Sequence, residues 1–556
     1  MKNLVCEHRA TREFLCPLAL DTLEFRLFTE TCVKDVILHY FKRNTLDFRK
    51  GTMTCDLSTC ERKLWESVIA FPEQAHYIKY YFELAIEDGT RFFLNEIGLS
   101  KDVPSDGFFE FLCAGSMDSL VVPSWAEGIV FYQIFPDSFA SVDQKSRTDM
   151  HPWDSVPDSR YFGGNLKGIE SKIPYLKDLG VGCIYLNPVF KAEFNHKYAT
   201  IDYFEIDEGF GTKEDFRSLV ESLHSAGIRI VLDGVFNHTS TRFHAFEDVV
   251  RNGRLSKYVD WFYFDSFPVS QDPLNYMCVG DYCYMPKLNT GNTEVQSFIL
   301  SVMEYWIEEF GIDGWRLDVA DEVEPLCWSF IRRSLKTKHP NALLLGECWS
   351  DAYRIVGDGN QLDISMNYLF RNACLGFFAK NGSAHRFAED ISNLLMRYHK
   401  RTNKANFNLL GSHDTERFLT SCGMDEDRLR LAIAFQMFFI GSPSIYYGDE
   451  VGMSGGNDPL CRAGMRWCDA NSKLHDYVRG LVRFRNESEI VKHGDFRQLY
   501  VSESQGIYIF IRFNATDCIG FAFNSSGEDQ IVDDRSVLDY FGISSLVDPR
   551  INFDKN

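Results

Sequence analysis

Three stretches of the chain repeat one grammar: an apolar stripe at helical spacing, a glycine, then a short apolar strand. Ile169, Ile173, Leu176 and Leu179 lead to Gly180 and CIYLNP. Phe216, Leu219, Val220 and Leu223 lead to Gly227 and IRIVLDGV. Val295, Ile299, Val302, Met303, Trp306 and Phe310 lead to Gly311 and IDGWRLDVA. Steps of three and four residues place one helix face on a core, and glycine supplies the left-handed helix stop. A strand with no polar alternation belongs in a parallel sheet covered on both faces. LLLGECW, FNLLGSHD and PSIYYGDE are further strands of this kind. About eight strands over roughly 360 residues suit a closed (β/α)8 barrel better than an open sheet.

The flanks read differently. LEFRLF puts Leu23, Phe25 and Leu27 on one face, and YIKYYFELAIEDGTRFF reads as a hairpin turning at Asp88-Gly89. Residues 1–122 are therefore expected to form an N-terminal β-sandwich, and Pro123 opens the barrel domain, 123–487. GIYIFIRF and CIGFAF mark a small C-terminal β-domain over 488–556. Almost sixty residues separate the third strand from its helix, about four times the usual upper length of a structureless loop. Rich in Tyr, Phe and Asp, they are expected to form an inserted subdomain, 239–292, beside the barrel mouth.

Charge and cysteine usage exclude several classes of function. With 58 Lys and Arg against 79 Asp and Glu, the net charge of −21 repels phosphate backbones, so no nucleic-acid partner is expected. The uncharged run from Arg430 to Asp449 has the length of a membrane span. Gln436, Gly441, Pro443 and Gly448 divide it into a buried helix and a strand, so no membrane partner is expected either. The opening MKNLVCEHRATREFL has no apolar leader segment, and the sixteen cysteines form no regular framework. Cys55/Cys60 and Cys278/Cys283, the nearest pairs, are spaced too widely for a C-x2-C zinc site. A cytoplasmic protein with reduced thiols is the expectation.

The chemistry lies where the strands end. Asp233, Asn237 and His238 stand in DGVFNH, Arg316 and Asp318 in GWRLDVADE, Glu347 in LLGECW, and His413 and Asp414 in LLGSHDTER. Barrel active sites occupy this end of the strands. Helix capping accounts for a single Asp after a strand. It does not account for Asp, Glu and Asp on three separate strands with an Arg and two His among them. Ser412-His413-Asp414 spells a hydrolytic triad, but neighbours on one strand face opposite ways. The His residues are too isolated for a zinc motif. Paired carboxylates fit glycoside hydrolysis, which needs one ionised nucleophile and one protonated acid. Arg316, two residues before Asp318, is expected to hold that carboxylate ionised, and crowding is expected to raise the pKa of Glu347.

In this order along the chain, these segments resemble the conserved regions of the α-amylase family, glycoside hydrolase family 13. MPKLN at Met285–Asn289, NHKY at Asn195–Tyr198 and GGNDPLCR at Gly455–Arg462 are similar to its neopullulanase, cyclomaltodextrinase and maltogenic amylase branch. The N-terminal domain resembles a family-34 carbohydrate-binding module. The resemblance implies Asp318 as nucleophile, Glu347 as general acid/base and Asp414 as the carboxylate that orients sugar hydroxyls. It implies His238 and His413 as hydroxyl ligands, Tyr198 as the ring platform, Asp458 and Arg462 on the neighbouring glucose, and Glu322 on the acceptor side. Asp321, Ala199 and Cys348 depart from the branch pattern. The branch's calcium loop is degenerate here, reading FASVDQKSRTDMHPW and GGNL with Asp143 alone retained, so neither calcium nor another cofactor is expected. The implied partners are cyclodextrins and α-glucan oligosaccharides, with a homodimer through the N-terminal domain. A glucanotransferase or isomerase on the same barrel stays open as an alternative. A non-catalytic carbohydrate-binding barrel is disfavoured because all three carboxylates are present.

Overall fold

The computed structural model describes residues 4–532, save 46, 116–118, 143–149, 159, 358, 469 and 470. Eight parallel strands form the central sheet: β1 (Phe131–Ile134), β2 (Cys183–Leu186), β3 (Arg229–Gly234), β4 (Gly314–Leu317), β5 (Leu343–Gly346), β6 (Ile364–Ser365), β7 (Phe407–Leu409) and β8 (Ser442–Tyr446). Each pairs with the next from β2 to β6, β1 joins β2 to β8, and β8 pairs with β7. A parallel bridge between Met366 and Phe407 closes the ring. Alternate side chains separate cleanly. Phe131, Tyr185, Val231, Leu345 and Phe407 fill the interior, while Tyr132, Ile184, Leu232 and Trp315 join the large core under the helices. β1 and β6 lack the helix–glycine prelude, and β6 has only two residues, so the repeat does not reveal them.

The helices fall where the stripes placed them. Thr293–Phe310 starts on the side chain of Asn292 and stops at Gly311, φ +76°. Lys213–Ser225 begins with a capping box between Thr212 and Asp215. The first stripe is two short helices, Leu166–Ser171 and Ile173–Leu179. The uncharged run divides into helix Glu426–Phe438 and β8. Among the described residues no helix is long and apolar enough to cross a membrane. The inserted segment after β3 is ordered by helix His244–Asn252, short bridges such as Phe264–Tyr276, and an aromatic cluster of Phe246, Phe262 and Tyr276.

The N-terminal domain is a sandwich of a five-stranded and a six-stranded antiparallel sheet. Leu23, Phe25 and Leu27 pack between the sheets against Leu38, Tyr80 and Phe82, and the hairpin turns at Gly89, φ +85°. The alternate residues Glu24 and Arg26 occupy the face that period-two patterning assigns to solvent, yet both are buried. They meet the barrel instead. Arg26 Nη2 donates to the carbonyl of Met396 at 2.7 Å, its Nε donates to Glu66 at 3.2 Å, and Glu24 pairs with His399. Beyond the barrel, Asp495–Ser502, Ile507–Phe513 and Cys518–Asn524 form a three-stranded sheet on Phe435 and Phe438. The rest of the expected C-terminal domain, 533–556, lies outside the described residues.

The Glu24–His399 pair makes the docking of the two domains sensitive to pH. Burial alone would lower the His399 pKa, but the charge of Glu24, then the neighbouring Cys16 and the Glu24 hydrogen bond, push it up to about 9. Burial would raise Glu24, and His399 outweighs it and holds that carboxyl low. A raised folded-state pKa gives stability that is full below the unfolded value near 6.5 and is lost as pH rises through about 9. Melting temperature should therefore fall between pH 7 and pH 10. In His399→Gln that fall should be smaller, by up to about 3 kcal/mol of linked free energy. Calorimetry showing equal slopes in both proteins would contradict this.

Candidate active site

Parallel register sets Asp233 of β3 beside Arg316 of β4. Arg316 is wholly buried, and its Nη1 donates to both oxygens of Asp233, at 2.9 and 3.1 Å, and to Oδ1 of Asp318 at 2.7 Å. Its Nη2 lies 2.9 Å from Oε1 of Glu347. One guanidinium thus holds three carboxylates from three strand ends. Without them it would be a buried, unpaired charge. Glu347 is fixed further: Oε1 accepts from Trp349 Nε1 at 3.1 Å and Oε2 from the Val319 amide at 2.9 Å. Val319 stands at φ +45°, a left-handed conformation that costs a β-branched residue about 1–3 kcal/mol. That turn points the amide following the Asp318 carbonyl at Glu347.

Burial pushes both Asp318 and Glu347 up. Glu347 and Asp233 add to the push on Asp318, Asp414 adds to that on Glu347, and Arg316 opposes both. The rise of Glu347 is as expected. For Asp318 the expectation is corrected: burial and two neighbouring carboxylates outweigh Arg316. Both carboxyls are thus biased toward their protonated forms, and Arg316 opposes this at 2.7 Å from Asp318 and 2.9 Å from Glu347.

The third carboxylate behaves in the opposite way. Asp414 is held well below the usual range, because the His413 ring and then the Arg462 guanidinium overcome the effect of burial. His413 Nε2 lies 3.0 Å from Asp414 Oδ2, and Arg462 Nη2 donates to Oδ1 at 2.9 Å. Here a sequence argument fails. β7 ends at Leu409, so His413 and Asp414 lie in the turn beyond it and do touch. There is still no triad, since the Ser412 hydroxyl accepts from the Asp414 amide and pairs with Tyr368.

The remaining candidates surround these groups. Tyr198 donates to Asp233 at 2.9 Å and meets His413 Nε2 at 2.5 Å. His238 is buried against the Tyr198 main chain without a hydrogen bond of full geometry at either ring nitrogen, and burial lowers its pKa to about 3. A neutral, unsatisfied imidazole is ready to bind a hydroxyl. Arg462 is occupied in positioning: besides Asp414 it holds Asp458 at 2.8 Å and the His413 carbonyl at 2.8 Å. Asp458 and Glu322 stand at the rim, their side chains about half exposed, and Glu322 is held by Lys287 and Asn237, both at 3.2 Å. Asp321 accepts from the Cys348 thiol, and Ala199 is buried. Asp143 lies outside the described residues, and Asn165 of GGNL caps helix Leu166–Ser171.

Four functional residues were missed. Gln133 of β1 holds His413 Nδ1 at 2.8 Å, which turns the Nε2 edge of the ring toward Asp414. Asn187 donates to the Tyr198 hydroxyl, Tyr185 donates to Asp233, and Trp349 holds Glu347. The available signals were a Gln inside the apolar run FYQIF and an Asn directly after CIYL.

Comparison with known proteins agrees with this geometry. Residues 133–489 match the family model "Alpha amylase, catalytic domain", and residues 1–115 match "Alpha amylase, N-terminal ig-like domain". The chain is 38% identical over 545 residues to a cyclomaltodextrinase of Geobacillus thermopakistaniensis, covering 95% of this chain and 92% of that one. It is 41% identical over 466 residues to neopullulanase 2 of Thermoactinomyces vulgaris, covering 82% and 79%. A solved cyclomaltodextrinase superposes with a TM-score of 0.88 at 35% identity, covering 93% and 90%.

Arg316→Leu should leave buried carboxylates unpaired and destabilise the protein by about 3–5 kcal/mol near neutral pH. Carboxylates whose folded pKa is raised cost stability while ionised, and that cost disappears as they protonate. The deficit against wild type should therefore shrink as pH falls from 8 to 5. Calorimetric deficits that stay constant with pH would rule out Arg316 as the shared counter-ion.

Proposed function

This chain belongs to the α-amylase family, and on that premise we propose a retaining α-glucan hydrolase of the cyclomaltodextrinase, neopullulanase and maltogenic amylase branch. It cleaves α-1,4-glucosidic bonds in cyclodextrins, pullulan and short maltodextrins. The observation that carries this reading is the trio Asp318, Glu347 and Asp233 on one buried guanidinium, with Asp414 ionised opposite. Two carboxyls on one guanidinium suit the separation of about 5–5.5 Å used for direct attack, rather than the wider gap that admits water.

Glu347 gives its proton to the glycosidic oxygen as that bond breaks, while Asp318 attacks the anomeric carbon and forms the glycosyl ester. Glu347, now ionised, takes a proton from the incoming water, whose oxygen displaces Asp318 and returns the α configuration. Asp414, His413 and neutral His238 bind hydroxyls of the reacting ring, and the Tyr198 ring lies beneath it. If a sugar hydroxyl replaces the water, the same ester yields transglycosylation, and Glu322 at the rim suits contact with that acceptor. All sixteen cysteines are free thiols, which supports a cytoplasmic setting. A homodimer through the N-terminal domain, narrowing each mouth toward short or cyclic substrates, completes the proposal. The carboxylates supply the whole reaction without a cofactor.

Incubation with β-cyclodextrin, pullulan, starch and maltotriose, followed by proton NMR, should show α-anomers as first products and cyclodextrin favoured over starch. Initial β-anomers would overturn the double displacement. Asp318→Asn, Glu347→Gln and Asp414→Asn should each lower kcat at least about a thousandfold while the proteins remain folded by circular dichroism. Treatment with EDTA should leave the rate unchanged, and sedimentation should give the mass of two chains.

A further inference from the structure

The aromatic surface does not stop at Tyr198. The rings of His413 and Tyr198 stack at 7° with centroids 5.4 Å apart, and Oη and Nε2 share a hydrogen bond. His196 follows at 5.9 Å and 25°, then Phe194 at 5.3 Å and 15°. Lys197, at φ +66°, turns between them and sends its ammonium to Asp207 at 2.8 Å. Phe194 then meets Tyr284 of the inserted subdomain at 4.7 Å.

Packing alone would bury such rings. His196 and Tyr198 are half-buried, however, and Phe194 is 36% exposed. Burial, with Arg462 adding to it, holds the pKa of His196 to about 3, so that ring is uncharged near neutral pH. The Asp458–Arg462 ion pair lies on this aromatic strip's side of the pocket, Arg462 acting on the His196 ring and Asp458 on the Tyr284 phenol. The strip therefore leaves the reaction pocket on the side of that ion pair.

We propose that Phe194, backed by Tyr284, is a stacking subsite for a glucose unit of the substrate chain beyond the one beside Asp458 and Arg462. The proposal rests on the glucanase reading above. The apolar face of a pyranose lies on an exposed ring at little entropic cost, because Phe has only two side-chain torsions. A chain too short to reach Phe194 gains nothing from it. The residue thus sets a preference for chain length, separate from the chemistry at the carboxylates.

The test is kcat/KM for maltotriose through maltoheptaose with wild type, Phe194→Ala, Phe194→Leu and Phe194→Trp. The maltohexaose-to-maltotriose ratio should fall about three- to tenfold in the Ala and Leu variants and recover with Trp. Equal losses at every length, no loss, or full activity with Leu would overturn the subsite. Calorimetric titration of maltohexaose into wild type and Phe194→Ala separates the two readings. If no substrate is cleaved, the glucanase reading fails, while weaker binding by the variant still supports the subsite and equal binding removes it.

Discussion

A single buried guanidinium organises the catalytic end of this barrel. Arg316 makes it possible for Asp233, Asp318 and Glu347 to converge in a buried position, and each carboxylate in turn makes the buried Arg316 tolerable. Their strand positions follow from register, since Asp233 and Arg316 are Cα partners. Tyr185 and Tyr198 donate to Asp233, and Tyr198 reaches His413. The sugar-facing side is therefore built outward from the same charge. Removing any one member changes the electrostatics of all the others, so the group acts as a unit.

Much of this was legible because βα repetition has a strong physical signature. The glycines at 180, 227 and 311 take left-handed conformations, and the apolar strands that follow are covered on both faces. A carboxylate at the end of such a strand stands out against its surroundings, so Asp318 and Glu347 could be read directly. β6, with two residues and no glycine prelude, offered no such contrast. Gln133 and Asn187 were also hidden, because a neutral amide in a strand becomes informative only once its partner, His413 or Tyr198, is known.

Two readings failed because an intermediate picture was too regular. Treating His413 and Asp414 as strand neighbours separated side chains that a turn brings within 3.0 Å. Expecting Arg316 to hold Asp318 ionised left out the burial of Asp318 and the two more carboxylates that share the guanidinium. The inserted subdomain shows the opposite case, in which length and aromatic content alone indicated an ordered unit. It then places Tyr284 next to Phe194, with Tyr282 against Tyr284.

The buried face of the N-terminal sandwich changes what counts as a separable part of this protein. By sequence pattern the boundary near residue 122 is a clean joint between modules. By energy it is not, because Glu24, Arg26 and Glu66 lie beneath the barrel's His399 and Lys400 with almost no access to solvent. A barrel cut free there would present unmatched cations, and the liberated sandwich unmatched carboxylates. Neither half could be exchanged for a homologous module unless the complementary residues travelled with it. Recombination within the family is therefore restricted to chains that inherit both sides of this seam together.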